Sequence, residues 1–277
     1  MKDQPHIAFI GDLTIDKYVQ SGEIRLGGAA LNGSIWARKL GAKPSVVTTV
    51  GTDMSGKEMV KKLKKEHISK THLQIKHGNT SSIEITVDNQ GERSYGVWDP
   101  GTLASYHFRE KDIAYLSGMD AIVVTVYPQF AHILDELSAV KKNQPGESPY
   151  IIVNFGDLKE FHGDINIVVT ALSIANLCVF GLHETEDSEL ISRLESLARK
   201  HTRHILITMA AKGSRMYAAD TVYSEPAKLV TAVDTTGAGD SFLSAYLIKF
   251  LDTGDVKASL RAGTELASQV IQRIGAY

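Results

Sequence analysis

The sequence predicts an α/β fold with a mostly parallel central sheet, and three observations lead to that class. Short apolar runs closed by turn residues recur along the 277 residues, as expected of strands buried on both faces. Stretches with the amphipathic spacing of helices lie between most of these runs. One region instead shows the apolar–polar alternation of a hairpin. Strands that alternate with helices form a parallel sheet covered by helices on both sides.

The strand and helix candidates follow one another in that alternating order. The predicted buried strands cover residues 7–10, 46–50, 121–126, 151–155, 177–180 and 204–209. The predicted helices cover residues 29–40, 56–67, 130–142 and 186–201. The helix over 56–67 carries five lysines away from its apolar face, which indicates a solvated surface rather than a binding patch.

Two hairpins break the alternation and predict a smaller sheet. Residues 82–88 and 93–98 alternate around a Gly-containing turn, and a second short hairpin is predicted over 18–26 around Ser21-Gly22. The two ribbons are expected to pair into a small sheet over one edge of the large domain, as a lid. The predicted organisation is therefore one domain over 1–277 with a β lid from about 14–27 and 80–99.

Composition excludes several classes of partner. Hydrophobic residues make up 43%, charged residues make up 22% and the net charge is −2, so no excess charge indicates nucleic acid or a membrane surface. A small molecule is the expected partner. Cys178 is the single cysteine, so no internal disulfide can form. The first apolar run, at residues 7–10, is too short for a signal peptide. These features predict a cytoplasmic protein.

A segment that partly matches a P-loop is better explained as a helix cap. Gly51-Thr-Asp-Met-Ser-Gly-Lys57 fits the first seven positions of G-x-x-x-x-G-K-[ST], but Glu58 stands where a hydroxyl must bind Mg²⁺. The negative charge of Glu58 would compete with phosphate for the amides at the start of the helix. A turn that caps the following helix is the favoured interpretation.

The stretch Asp234-Thr-Thr-Gly-Ala-Gly-Asp-Ser-Phe242 predicts an anion site with a carboxylate beside it. Glycines let the backbone approach a ligand, and unpaired amides at a helix start attract phosphate. Asp240 would repel that phosphate, which makes sense if Asp240 takes a proton from a hydroxyl as it attacks a γ-phosphoryl group. The alternative is a capping box in which Asp240 only binds backbone amides. The residues alone leave both open.

This stretch resembles the C-terminal motif of the ribokinase-like (PfkB) carbohydrate kinases. Gly27-Gly-Ala-Ala-Leu-Asn32 is similar to the sugar-binding element of that family, and the resemblance extends over residues 7–277. It implies a three-layer α/β/α domain with a β lid, and an ATP- and Mg²⁺-dependent transfer of phosphate to a sugar hydroxyl.

The resemblance also implies roles for individual residues. Asp240 would be the catalytic base, with the amides of Gly237, Ala238 and Gly239 as the anion hole. The sugar-binding candidates are Asp12, Asp16, Gly27, Gly28, Asn32 and Trp98. The nucleotide-binding candidates are Thr208, Ala210, Gly213, Thr236, Gly237 and Gly239. Glu186 would bind Mg²⁺, and Asp234 would lie beside a K⁺ ion. Trp98 has a simpler alternative, since lid aromatics also pack a small sheet against its own domain.

Two departures from the family pattern leave a non-catalytic alternative open. His183 stands where the family has Asn in the Asn-x-x-Glu element, and Ala210 replaces the first glycine of the nucleotide loop. A sugar- or nucleotide-sensing protein on the same fold is therefore a second hypothesis. A P-loop NTPase that uses residues 51–57 is a third. A Rossmann dehydrogenase is disfavoured, because no G-x-G-x-x-G follows the first strand.

The short chain, the brief lid and the ending at residues 271–277 look most like the fructoselysine 6-kinase branch, whose substrates are glycated amino acids. A homodimer paired through the lid hairpins would cover their apolar edges, but charges such as Glu92 and Arg93 can also protect exposed edges, so the sequence leaves the oligomeric state open.

Overall fold

The computed structural model describes residues 4–87, 93–142 and 148–277. Its strands are β1 (His6–Ile10), β2 (Thr14–Tyr18), β3 (Ile24–Gly27), β4 (Lys43–Val46), β5 (Thr49–Gly51), β6 (Gln74–Lys76), β7 (Ser82–Val87), β8 (Arg93–Asp99), β9 (Ala121–Thr125), β10 (Tyr150–Asn154), β11 (Leu177–Gly181), β12 (His204–Thr208), β13 (Ser214–Ala218) and β14 (Thr221–Glu225). Its helices are α1 (Ala29–Lys39), α2 (Met54–Lys65), α3 (Glu110–Ser117), α4 (Ile133–Lys142), α5 (Ile165–Ile174), α6 (Ser188–His201), α7 (Ala238–Thr253) and α8 (Val256–Val270).

The main sheet has the strand order β14-β13-β12-β11-β10-β9-β1-β4. Neighbours from β4 to β12 are parallel, and β13 and β14 add an antiparallel hairpin at one edge. The predicted α/β class with a mostly parallel sheet is confirmed. The edge hairpin was not predicted.

Helices cover both faces of this sheet because every central strand is apolar on both sides. In β1, Ile7 and Phe9 join a core with α1, α2, α7 and α8, whereas Ala8 and Ile10 join a core with α3, α4, α5 and α6. Successive side chains of a strand point to opposite faces, so one strand supplies both cores. The result is the expected three-layer α/β/α arrangement.

The prediction of one strand over 46–50 was wrong, because the chain changes sheets there. β4 ends at Val46 in the main sheet, and β5 starts at Thr49 and pairs with β6 in a separate two-stranded sheet. The Thr48 hydroxyl between them donates to the carbonyl oxygen of Gly11 at 2.5 Å. A continuous apolar run carries no signal for such a break.

The two hairpins pair as expected. β2 runs parallel to β7, which joins β3-β2 and β7-β8 into a four-stranded sheet in the order β3-β2-β7-β8. We call these strands the small sheet. The turn predicted between β7 and β8, at residues 89–92, lies outside the described residues, as does residue 88 at the end of the predicted strand.

The helix-cap interpretation of residues 51–57 is confirmed. Asp53 is the N-cap of α2 and accepts a hydrogen bond from the Gly56 amide at 2.8 Å. A Cβ on Gly56 would lie 2.1 Å from the Gly51 carbonyl oxygen. The two ends of this turn are therefore packed against each other, and no space for a phosphate group lies between them. The helix starts at Met54, two residues earlier than predicted.

The Cys178 thiol is fully buried in β11, as expected, and burial raises its pKa. Within the described ranges, no helix is both long and apolar enough to cross a membrane.

Candidate active site

The site forms where the carboxyl ends of the parallel strands meet the first turns of two helices. Asp12 follows β1, Tyr127 follows β9 and Thr208 ends β12, so all three lie at the same edge of the sheet. Helix α1 begins at this edge, directly after Gly28, and packs against α7, which carries Asp240 in its first turn. Open α/β sheets bind ligands at this edge.

The Asp240 side chain points at α1 rather than at the amides of its own helix. Its Oδ2 accepts a hydrogen bond of 2.9 Å from Asn32 Nδ2. The N-cap of α7 is Gly237, which makes no side-chain cap bond. Asp240 therefore does not form the capping box that the sequence left open as an alternative.

The pKa of Asp240 is raised from 3.8 to about 7. Burial is the largest cause, because a carboxylate loses solvation there. The hydrogen bond from Asn32 lowers the pKa, and the nearby Asp12 carboxylate raises it further. A carboxylate with a pKa close to neutral pH is suited to accept a proton.

Asn32 has one polar atom that the protein does not satisfy. The residue is 5% exposed, and its Oδ1 is buried without a hydrogen-bond partner. Because an unsatisfied buried acceptor costs free energy, such an atom in a cleft indicates a ligand donor. A hydroxyl group bound at this point could donate to Asn32 and lie next to Asp240.

The Asp12 carboxylate is held by three donors. It accepts from the Thr14 hydroxyl at 2.5 Å, the Ala29 amide at 3.0 Å and the Tyr127 hydroxyl at 2.8 Å. A Cβ on Gly28, whose φ is +97°, would lie 2.5 Å from the Asp12 carbonyl oxygen. Only glycine fits between this loop and the start of α1.

Burial and the neighbouring Asp12 carboxylate raise the pKa of Tyr127 well above its ordinary value. The sequence analysis missed this residue. Its position two residues after a buried parallel strand was the signal that could have identified it.

Asp16, Gly27 and Trp98 lie around the same site from the small sheet. A Cβ on Gly27 would lie 2.4 Å from Asp16 Oδ2, so the buried carboxylate rests against the Gly27 backbone. The Trp98 ring lies tilted against the Tyr127 ring at a centroid distance of 4.7 Å and packs against the core that contains Ala8 and Ile10. Trp98 thus packs the small sheet against the domain, which was its simpler alternative, and does so next to Asp12.

The turn at residues 235–239 leaves backbone amides open at the start of α7. The Ala238 amide donates to the Thr235 carbonyl at 3.2 Å, and the Ser241 amide closes the first helical bond to Gly237. In the described part of the chain, no backbone acceptor pairs with the amides of Gly239 and Asp240. A Cβ on Gly239 would meet nothing within 4 Å, so an anion can approach this backbone. The amides available to an anion are therefore shifted from the predicted set, with Asp240 N in place of Ala238 N.

Asp234 joins this turn to the C-terminal loop. Its Oδ1 accepts from the amide and hydroxyl of Thr236 at 2.8 Å and 2.6 Å, and its Oδ2 accepts from the Gly275 amide at 2.8 Å. Arg25 also acts on this carboxylate electrostatically. A carboxylate that accepts hydrogen bonds can also bind a cation, so the K⁺ ion implied beside Asp234 stays a prediction.

The nucleotide-loop candidates lie together after β12. Thr208 ends the strand, and its hydroxyl donates to the Phe180 carbonyl at 3.3 Å. Ala210 has φ +46°, so the residue that replaces the family glycine keeps a left-handed backbone. A Cβ on Gly213 would lie 2.2 Å from the Glu225 carbonyl oxygen, which requires glycine there.

Glu186 lies in the turn after β11, with its side chain 71% exposed. Lys159 Nζ is 3.9 Å from Glu186 and 3.1 Å from Asp187. Asp187 also accepts from the His183 amide at 2.7 Å, which closes the turn. An exposed carboxylate oxygen at the carboxyl edge of the sheet fits a hard cation such as Mg²⁺. Helix α6 starts at Ser188, so Glu186 precedes the helix instead of starting it.

The predicted residues thus form two groups. The sugar-binding candidates converge with Asp240 around α1, whereas Glu186 and the loop at 208–213 lie along the carboxyl ends of β11 and β12. The turn at 236–239 is the start of α7, directly before Asp240.

Comparison with known proteins gives a consistent result. A family model for "pfkB family carbohydrate kinase" matches residues 7–277. The chain is 27% identical to fructosamine kinase FrlD of Bacillus subtilis, over 97% of this chain and 91% of that protein. It is 24% identical to fructoselysine 6-kinase of Escherichia coli, over 98% of this chain and 99% of that protein.

Solved structures have the same fold. Ribokinase of Arabidopsis thaliana, complexed with ribose and ATP, superposes with a TM-score of 0.81 at 18% identity, over 99% of this chain and 95% of that chain. An uncharacterized sugar kinase of Pyrococcus horikoshii in complex with ATP superposes with a TM-score of 0.78 at 21% identity, over 98% and 93%.

Proposed function

This chain belongs to the pfkB family of carbohydrate kinases, and we propose that it transfers the γ-phosphoryl group of ATP to a primary hydroxyl of a fructosamine. Phosphate transfer from ATP to an alcohol group of a sugar follows from the family and the ribokinase fold. The roles of individual residues and the choice of sugar are the proposal.

Asp240 is the base in this proposal. It accepts the proton of the acceptor hydroxyl as that oxygen displaces ADP from the γ-phosphoryl group, so the products are a sugar phosphate, ADP and a proton. Asn32 holds Asp240 Oδ2 in place and offers its buried Oδ1 to a sugar hydroxyl. Asp12, fixed by Tyr127, and the backbone at Gly28 form the opposite side of the sugar site.

The transferred phosphate would lie against the amides of Gly239 and Asp240 at the positive end of α7. Thr208, Ala210 and Gly213 would hold the nucleotide. Glu186 would hold Mg²⁺, which neutralises phosphate charge when bound. A K⁺ ion beside the Asp234 carboxylate, whose position three hydrogen bonds fix, is a further part of the proposal.

A fructosamine is the proposed substrate class because two relatives that match nearly the whole chain are named for it. Two further parts of the proposal are a cytoplasmic location, where ATP is available, and a homodimer through the small sheet. Val19, Ile24 and Val97 are exposed in or beside that sheet, and a second copy would cover them.

One observation carries the proposed mechanism, namely the contact between Asp240 and the half-satisfied Asn32 at the carboxyl edge of the sheet. The test is consumption of Mg-ATP with ribose, fructose, tagatose, nucleosides and fructoselysine as acceptors. Wild type, Asp240→Asn and Lys57→Ala are assayed together. We expect turnover to be highest with fructoselysine, to fall by several orders of magnitude in Asp240→Asn and to stay unchanged in Lys57→Ala.

Other results would contradict the proposal in different ways. Loss of activity in Lys57→Ala but not in Asp240→Asn would favour a P-loop enzyme. If a ligand raised the melting temperature of the wild type while no acceptor was phosphorylated, the protein would be a sensor on the kinase fold.

A further inference from the structure

A cavity of about 290 Å³ lies between the small sheet, α2 and the C-terminal loop. Its volume is close to the lower end of the range for small-molecule sites. Both signs of charge line it, with the Asp16 carboxylate, the Arg25 guanidinium and the Lys62 ammonium group, and the loop at residues 275–277 forms another wall. Arg25 and Lys62 have no role in the phosphoryl transfer described above, whereas Asp16 is one of the sugar-binding candidates.

The cavity adjoins the proposed sugar and phosphate sites. Asp16 lines it and rests against Gly27, one residue from the Gly28 backbone of the sugar site. Thr236 also lines it and directly precedes the turn at Gly237. A substituent on the bound sugar that passes Asp16 would therefore enter this cavity.

Arg25 is held so that one nitrogen remains available. Its Nε and Nη2 donate to the two carboxylate oxygens of Glu23 at 2.7 Å and 2.9 Å, and its guanidinium lies 5.0 Å from the centre of the Tyr18 ring. Nη1 lies on the cavity side, 3.9 Å from the position of a Cβ on Gly275. Among the described residues, Nη1 has no hydrogen-bond acceptor.

Lys62, on α2, adds a second positive charge to the lining of the cavity. Its Nζ donates to Glu66 at 2.8 Å and lies 4.4 Å from the centre of the Tyr277 ring. An ammonium group has three donors, so the pair with Glu66 leaves two for a ligand. The Tyr277 hydroxyl donates to the Leu26 carbonyl at 2.9 Å, which fixes this wall to the small sheet.

We propose that this cavity receives the amino-acid part of a fructosamine and that Arg25 binds its carboxylate. The inference rests on the proposed function, since it names the second half of the same substrate. A fructosamine joins the sugar to the amino acid through a cationic amine, which suits Asp16 at the entrance. The carboxylate beyond the amine suits Arg25 and Lys62, because a guanidinium held in place by Glu23 loses little freedom when it binds an anion.

The test uses two matched pairs of acceptors. Fructoselysine is compared with its decarboxylated counterpart, which carries 5-aminopentylamine in place of lysine. Fructosylglycine is compared with N-methyl fructosamine. Members of a pair share the sugar and the linking amine and differ in the carboxylate. KM and kcat are measured for wild type, Arg25→Gln and Arg25→Lys, with Lys17→Gln as the control. Lys17 is on the neighbouring strand and its Nζ donates to Ser82 instead of lining the cavity.

Wild type is expected to prefer the carboxylate-bearing member of at least one pair. Arg25→Gln should raise KM for that member by about tenfold to a hundredfold, because a hydrogen bond to a charged group is lost. The kcat for that member should stay unchanged. The carboxylate-free member should keep its KM within about twofold, as should both members in Lys17→Gln. Arg25→Lys should lie between wild type and Arg25→Gln, because it keeps the charge and loses the planar fork.

Several results would overturn the inference. Equal kcat/KM within both pairs in wild type would do so, as would Arg25→Gln raising KM equally for both members. In either case the proposed kinase function would stand if a sugar were still phosphorylated. Absence of turnover with every acceptor would overturn the proposed function, and the inference with it. A melting temperature equal to that of wild type shows that Arg25→Gln is folded.

Discussion

Replacement of Asp240 by Asn is expected to make the protein more stable in alkaline solution while it abolishes phosphoryl transfer. The reason is the cost of holding a carboxylate in the cleft between α1 and α7. The pKa of Asp240 is about 7 in the folded protein, against an ordinary value of 3.8. A raised folded pKa means that folding favours the protonated form, so the stability it contributes is present below pH 3.8 and is lost as the pH rises to 7.

The size of the effect follows from the shift. At about 1.4 kcal/mol per pKa unit, the full shift corresponds to an upper limit of about 4 kcal/mol. Between about pH 5.5 and about pH 8.5, linkage gives a change of about 2 kcal/mol, because the unfolded carboxylate is ionised throughout this interval whereas the folded one becomes ionised within it. For a chain of this size, 2 kcal/mol corresponds to roughly 4–8 °C in melting temperature.

The assay measures the free energy of unfolding of ligand-free wild type and Asp240→Asn at about pH 5.5 and about pH 8.5. Kinase activity is measured on the same samples. The Asn side chain can still accept from Asn32, so the hydrogen bond of 2.9 Å can be kept. The control for the loss of one negative charge is Asp220→Asn. Asp220 is an exposed residue in the turn between β13 and β14.

The expected result is that the stability gained by Asp240→Asn increases by about 2 kcal/mol from the acidic to the alkaline sample. A gain that is the same at both pH values would refute the argument, because it would show that the Asp240 carboxyl is not desolvated in the folded state. Full activity in the variant would refute its role as the base.

Three further predictions concern the same region. First, kcat/KM should fall as the pH drops below about 7, because Asp240 must be ionised to accept a proton; a profile that stays flat to about pH 5 would contradict this. Second, Gly237→Ala should lower the unfolding free energy by about 1–3 kcal/mol and remove activity, since φ is +72° and the new Cβ would lie 2.6 Å from Ala276 Cβ; thermal unfolding would measure it, and an unchanged melting temperature would be the contrary result. Third, Ala210→Gly should raise stability by up to about 1 kcal/mol, because φ is +46°; a lower melting temperature would show that the left-handed backbone is not strained there.

Much of the fold could be predicted from local patterns. The buried strands at 121–125 and 177–181 were identified nearly to the residue, because apolar runs closed by turns mark strands buried on both faces. The antiparallel strands β13 and β14 were missed, since an edge hairpin is only partly buried and its alternation is weak. The break at residues 46–50 was missed because Val46-Val-Thr-Thr-Val50 is an uninterrupted run of β-branched residues without a turn residue.

The sequence predicted which motifs belong to the candidate site, but it did not predict the contacts between their residues. Asp240 and Asn32 were both identified, but their hydrogen bond joins residues 208 positions apart. Tyr127 was missed although its hydroxyl holds Asp12, because its position after a buried strand is a weak signal until the contact with Asp12 is known. The sequence also could not decide whether Asp240 caps α7, since a carboxylate in the first turn of a helix can bind either the amides of its own helix or a neighbouring helix.

The sequence by itself determined the α/β class, the position of the proposed anion-binding turn and the identity of the candidate base. Each of these depends on residues close together in the chain, where periodicity and backbone preference act. Only the tertiary structure decided that Asn32 orients Asp240 and that Arg25 and the loop at 275–277 enclose one cavity. The physical reason is that desolvation and hydrogen bonding depend on groups brought together by packing α1 against α7 and the small sheet against the C-terminal loop.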